Sequence, residues 1–292
     1  MARIREIKKR MVAVGTIERI TKTMQMIATA KFTAAVQRAK ATKPFTETIR
    51  RLVGELSEAA GDLEHPLIDG PPSAVNKELL LVVSSDRGLC GAYNAHVLRA
   101  SLRHVRSARE KGVDITVESS GKKAIGFFRF AKVALAERHM IGDKPAYEEV
   151  ERIAARYIDA FTKGEYDAVR VSYMRYESNA RQIPEMMQLL PMRPEALAAD
   201  DEKRGPAAGY ELSPSGPELL ADLLPLAAKA QLFQAFNDAV VSEQIMRMVA
   251  MKAATENAKD LKRTLNRDYN RARQAQITTE LTEIIGGTAA LE

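Results

Sequence analysis

Ile277-Thr278-Thr279-Glu280-Leu281-Thr282-Glu283-Ile284-Ile285-Gly286-Gly287 ends a helical pattern of about sixty residues, and the length of that pattern decides the fold. Neither proline nor glycine interrupts it between Pro225 and Gly286. An average globular helix has about 11–12 residues. At 1.5 Å per residue, a helix from Leu226 to Ile285 is roughly 90 Å long. Such a rod exceeds one compact domain and reads as a shaft or a coiled coil. Gly286-Gly287 supplies its expected stop. From Met251 onward the apolar stripe is Ala254, Ala258, Leu261, Leu265, Tyr269 and Ala272, close to a heptad seam.

The other end of the chain carries a second pattern of the same kind. Ile4, Ile7, Met11, Val14, Ile17, Met24, Ala28, Phe32, Ala35 and Ala39 recur at threes, fours or near multiples, which predicts one helix over 3–60. Thr21 falls in this stripe and is small enough to pack. Gly61, Pro66, Gly70, Pro71 and Pro72 end the pattern. Residues 1–40 hold ten Lys or Arg against Glu6 and Glu18, so an acidic partner or a solvated face is implied.

Between the two lies a different composition. Glu78-Leu79-Leu80-Leu81-Val82-Val83-Ser84 reads as a buried strand, 91–112 as a helix, and 114–118 as a strand. A short helix over 121–129, a strand over 132–136, a helix over 146–164 and a strand over 167–174 continue the alternation. Gln188-Leu189-Leu190 extends the sheet, and 196–209 reads as a surface connection. This order predicts a parallel or mixed sheet. The last helix starts near Ser215-Gly216-Pro217-Glu218, and Pro225 should kink it or start it anew. The fold class is therefore α/β: a long antiparallel coiled coil of N- and C-terminal helices plus a central Rossmann-like α/β domain. The divisions are 1–60, 75–212 and 215–292.

Composition narrows the function. The chain has 292 residues, a net charge of +6, one cysteine and no tryptophan. Its longest apolar run, Leu79 to Val83, is far below the ~20 residues of a membrane span. Direct membrane insertion is not expected. A single Cys90 excludes an internal disulfide. Ser84-Ser85-Asp86-Arg87-Gly88-Leu89-Cys90-Gly91 follows the first strand, where an α/β domain binds phosphate or places a nucleophile, but it lacks both G-x-G-x-x-G and a P-loop lysine. His65, His96, His104 and His139 lack zinc-ligand spacing. No carboxylate pair is seen to converge, so no metal or cofactor site is expected.

Three stretches resemble the gamma subunit family of F-type ATP synthases. They are Ile20-Thr21-Lys22-Thr23-Met24-Gln25-Met26; Ser85-Asp86-Arg87-Gly88-Leu89-Cys90-Gly91; and a series from Ser242-Glu243 through Ala250-Met251, Tyr269-Asn270, Arg273-Gln274-Ala275, Ile277-Thr278 and Glu280-Leu281 to Glu283-Ile284. Their order and spacing agree over the whole chain. The resemblance implies a non-catalytic rotor shaft within a ring of alternating alpha and beta subunits. It implies further contact with the epsilon subunit and the c-subunit ring at the cytoplasmic face of a bacterial inner membrane. It also implies partner contacts at Lys22, Met24, Arg273, Gln274, Thr278 and Glu283, and at Tyr210 and Glu211 near the foot of the shaft. Departures are Leu212 where the family often has proline, Glu18 where Lys or Gln is common, and Ile17 for a frequent threonine. Two other readings remain at this level: a basic coiled-coil nucleic-acid-binding protein, and a Rossmann-like enzyme using Asp86, Arg87 and Cys90.

Overall fold

A computed structural model describes residues 2–59, 65–70, 75–192 and 216–289. The expected connection at 196–209 lies outside them. In chain order the elements are α1 (Ala2–Ala59), α2 (Pro66–Asp69), β1 (Lys77–Val83), α3 (Tyr93–Glu110), β2 (Asp114–Ser120), α4 (Lys122–Phe130), β3 (Glu137–His139), α5 (Tyr147–Thr162), β4 (Ala168–Tyr176), β5 (Gln182–Leu190) and α6 (Gly216–Ala289). Two compact units result: Met1–Ala30 with Arg247–Glu292, and Lys31–Met246.

The second unit is built on a five-stranded sheet of order β3-β2-β1-β4-β5. Strands β3, β2, β1 and β4 run parallel and β5 pairs antiparallel with β4. Both faces of β1 are covered, which explains its unbroken apolar run. Leu80 and Val82 pack under α3 and α4, with Tyr93, Val97, Val105, Ala124 and Phe128. Leu79, Leu81 and Val83 face the other layer, made of α5 and the adjoining parts of α1 and α6. There Leu220, Leu224, Ala227, Ala228, Leu232, Ala235 and Ala239 of α6 are almost wholly buried. The alanines let the helix backbone approach the sheet closely, while the leucines fill the gaps.

Four local expectations change. The third strand is Glu137–His139 rather than 132–136, because Lys132 takes a positive φ of 56° and makes 131–133 a turn. The last strand is longer than Gln188–Leu190, since hydrogen bonds to β4 begin at Gln182. Helix α6 runs without a break through Pro225, with Leu220 and Leu224 fully buried just before it. Packing there outweighs the lost hydrogen bond, as it does at Pro44 inside α1. Gly286-Gly287 does not end the helix, which reaches Ala289. Among the described residues no helix is long and apolar enough to cross a membrane.

Candidate functional site

The first unit is a pair of helical segments joined along one seam. On α1 the buried and half-buried positions include Ile4, Ile7, Met11, Val14, Glu18, Thr21, Gln25 and Ala28. On α6 they include Met251, Thr255, Ala258, Leu265, Tyr269, Ala272 and Gln276. The α1 series steps by three and four in turn, and the α6 series does so apart from one step of seven between Ala258 and Leu265, the a/d spacing of a coiled coil. Thr255 Oγ1 donates to Thr21 Oγ1 at 2.9 Å, and Lys262 Nζ donates to Glu18 Oε2 at 3.1 Å. Numbering falls on one helix as it rises on the other, so the pair is antiparallel.

Two residues read as seam from the sequence are not in it. Ile17 is 51% exposed and Leu261 is 49% exposed. The seam passes instead through Glu18, one position on, and Lys262 reaches across from the next position on α6. Hydrophobicity alone favoured Ile17 and Leu261; the strict repeat and the ion pair decide otherwise. Thr21 packs as expected, at 9% exposure.

The expected partner-contact residues fall into two zones. Lys22 is exposed, with its Nζ donating to Gln25 Oε1 at 3.5 Å, and Met24 is half-buried beside the seam. Arg273, Gln274, Thr278 and Glu283 are all exposed on α6. Thr278 Oγ1 donates to the Gln274 carbonyl at 3.0 Å, so these two side chains stand one turn apart on one face. With Thr21 opposite Thr255, the two zones are separated by roughly 30 Å along the coil. Tyr210 and Glu211 lie outside the described residues.

One surface feature was missed. Arg263, Asn266, Arg267, Asn270, Arg271 and Gln274 line an open groove along α6. Its signal was present in the sequence as two four-residue ladders, one of arginines and one of amides. Past Gln276 every described side chain to Gly286 is exposed, including Ile277, Leu281, Ile284 and Ile285. Contiguous exposed apolar groups on one helix mark a surface that a partner covers.

In the α/β unit the described residues close the place where a small molecule is expected. The space beyond the carboxyl ends of β1 and β2 is where an open parallel sheet takes a ligand. Here Phe236, Ala239, Val240 and Glu243 of α6 close it, leaving a cavity of about 20 Å³ beside Ser84, Asp86 and Gly121. That volume holds about one water. Gly121 is obligatory at this point: its φ is 92°, and a Cβ would lie 2.1 Å from the Ser84 carbonyl oxygen. Asp86 Oδ1 accepts from the Lys122 N–H at 3.0 Å at the start of α4. Cys90 is 2% exposed, and Asn94 Nδ2 donates to its Sγ at 3.1 Å. The loop that could have held a phosphate or a nucleophile is thus engaged in holding the fold.

Two carboxylates do converge, contrary to the sequence reading. Parallel pairing sets Glu118 of β2 against Glu137 of β3, with His139 two residues on. Ligand atoms of the three lie within 4.8 Å of one another. Arg156 occupies the space between them: it donates to Glu118 Oε2 at 2.6 Å and pairs with Glu137. Tyr157 Oη donates to the same Glu118 oxygen at 2.7 Å, and His139 Nε2 lies 2.8 Å from it. Burial alone would raise the Glu118 carboxyl; the His139 and Tyr157 hydrogen bonds and the Arg156 charge outweigh it and hold the carboxyl below its usual range. A guanidinium already supplies the cation, so the arrangement is an ion-pair network rather than a metal centre. The signal was β2–β3 register, which no single strand reveals.

Comparison with known proteins agrees with the fold. The ATP synthase family model matches residues 3–291. The ATP synthase gamma chain of Rhodopirellula baltica is 40% identical over 296 residues, covering all of both chains. That of Leptospira biflexa is 38% identical over 292 residues, again across both chains. Among solved structures, a chain of the Euglena gracilis mitochondrial ATP synthase rotor shares the fold with a TM-score of 0.64 at 18% identity, covering 94% of this chain and 99% of that one. A chain of the Tetrahymena thermophila mitochondrial ATP synthase central stalk and c-ring gives 0.57 at 19% identity, covering 80% of this chain and 99% of that one. A match at this identity over the full length of both partners places this chain in the ATP synthase gamma chain family.

Proposed function

We propose that this chain is the central rotor shaft of a proton-translocating ATP synthase, coupling ion flow in the membrane sector to ATP synthesis or hydrolysis on an alpha/beta ring. The observation that carries it is the antiparallel coil with its seam and an exposed apolar stripe at the end of α6, on a chain belonging throughout to the gamma family. Two helices locked by a seam resist twisting better than one. Torque transfer also requires a face that meets three equivalent sites differently, since only differential contact shifts an equilibrium.

In this reading Lys22 and Met24 form one contact zone with the ring, and Arg273, Gln274, Thr278 and Glu283 form another. Tyr210 and Glu211 belong near epsilon and the c ring. The chain itself carries out no ATP chemistry and needs no cofactor. It works at the cytoplasmic face of a bacterial inner membrane, as a peripheral protein that does not insert.

Affinity purification of the tagged chain from its native membranes tests this. Recovery of alpha, beta and epsilon subunits with ATPase activity is expected. Recovery of the chain alone, or with nucleic acid, overturns the proposal.

A further inference from the structure

Helices α3 and α4 cover one face of the sheet and turn a strongly basic side to solvent. The inward residues of α3 are Tyr93, Val97, Leu98, Ser101, Val105 and Ala108. The opposite side carries His96, Arg99, Arg103 and Arg106 at intervals of three and four, and all four are exposed. On α4 the exposed cations are Lys122, Lys123 and Arg129, with Lys132 just beyond. None of these seven Arg and Lys side chains has an ion-pair partner among the described residues. The exposed acids along 93–132 are Glu110 and Asp114. A solvated face normally mixes both signs, as α5 does with its own Glu and Arg residues.

A second feature shares this layer. Phe130 ends α4 and is 90% exposed, between Arg129 and Lys132. Its neighbour Phe128 is fully buried, so the helix has an apolar anchor without Phe130. An unburied aromatic among unpaired cations matches the chemistry of a phospholipid headgroup layer: anionic phosphates for the cations, and an interfacial zone for the ring. An acidic protein surface matches the same charges and is an outcome of the test below.

We infer that the α3–α4 face adsorbs to an anionic bilayer surface, through Arg99, Arg103, Arg106 and the α4 cations with Phe130 seated at headgroup level. No helix inserts. The contact belongs to the chain itself and does not require the ring, so it stands or falls separately from the rotor assignment.

Flotation of the purified full-length chain with vesicles tests it. One set is 30 mol% phosphatidylglycerol in phosphatidylcholine; the other is phosphatidylcholine alone. Binding is expected only to the anionic set, falling as salt rises. Charge reversal at R99E, R103E and R106E together should weaken binding at least tenfold, since each change removes an attraction to the anionic surface and adds a repulsion. Phe130→Ser should weaken it about threefold to tenfold at unchanged net charge. Reversal in the other basic stretch, K8E, K9E and R10E, should change it less than threefold. Thermal unfolding of each variant, monitored by circular dichroism, establishes that it is folded. Absence of wild-type binding, equal binding to both vesicle sets, or equal losses from the two triple variants would each overturn the inference. So would unchanged vesicle binding in the α3 variant combined with loss of a co-purifying protein subunit. Recovery of alpha and beta subunits with the wild-type chain reports on the rotor assignment independently.

Discussion

At the scale of single residues, burial raises two carboxyls, and their other neighbours leave them shifted in opposite directions. Asp238 on α6 lies among Gln234 and Lys43 from the two long helices and Tyr173, Arg175, Tyr176 and Glu185 from the β4–β5 edge. Burial is the main cause that pushes its carboxyl up from 3.8 to about 6; Glu185 adds to it, while the Gln234 hydrogen bond, Lys43 and Arg175 oppose it. The folded state therefore binds more protons than the unfolded chain between these values. Stability contributed by the neutral form falls as pH rises through the window, and the full penalty is present above about 6. Asp238→Asn should stabilise the chain at pH 7 by on the order of 1–2 kcal/mol and flatten the pH dependence. Melting curves of both forms from pH 4 to 7 check this; parallel curves would refute it. Glu118 has the opposite sign. Its carboxyl is held low, so its contribution is present above the ordinary carboxylate pKa and is lost as pH falls through the folded value. Glu118→Gln leaves Arg156 paired with Glu137 alone and should cost about 2 kcal/mol in urea denaturation, less than a fully buried pair because Arg156 is 42% exposed. A loss below about 0.5 kcal/mol would show the network to be dispensable.

At the scale of elements, the coil tolerates little extra volume. Ala28 is wholly buried and Ala258 is 6% exposed, so small side chains set how closely the helices approach. Ala28→Leu should force them apart and destabilise the chain by about 1–3 kcal/mol, measured by chemical denaturation. An unchanged midpoint would mean that the seam is loosely packed there. These elements also show what a sequence can reveal. Long helices were legible because neither proline nor glycine interrupts most of their length and their apolar period is regular. The parallel strands were legible because two covered faces demand an unbroken apolar run such as Leu79 to Val83. Seam phase was not, since Ile17 is more apolar than Glu18 and only the Lys262 partner explains the choice. The Glu118–Glu137–His139–Arg156 network was invisible for a related reason: it needs two strands in register and a helix laid over them. Met24, Arg273 and Gln274 are proposed as contacts on family resemblance alone, because nothing in their local spacing distinguishes a contact residue from a solvated one.

At the scale of the whole molecule, stability and function separate along α6. From Ile277 to Gly286 each side chain is exposed, so this stretch adds nothing to the seam that ends at Gln276. Ile277, Leu281, Ile284 and Ile285 nevertheless keep an apolar stripe, with exposures of 47–66%. A stripe of this kind persists against its solvation penalty only where something else covers it, which under the rotor proposal is the ring of alpha and beta subunits. Removal of residues 277–292 should therefore leave the unfolding free energy of the isolated chain within about 0.5 kcal/mol of the full chain. The same truncation should lower coupled ATP synthesis in reconstituted membranes, with ring assembly weakened in parallel. The two readouts constrain each other. Loss of stability without loss of coupling would place the stripe inside the fold of this chain, and an unchanged synthesis rate would remove the end of α6 from the proposed contact zone. Arg273→Ala within the full-length chain sharpens the result, because it alters an exposed cation while leaving the apolar stripe intact. Its effect should appear in coupled synthesis and not in the thermal unfolding of the free chain.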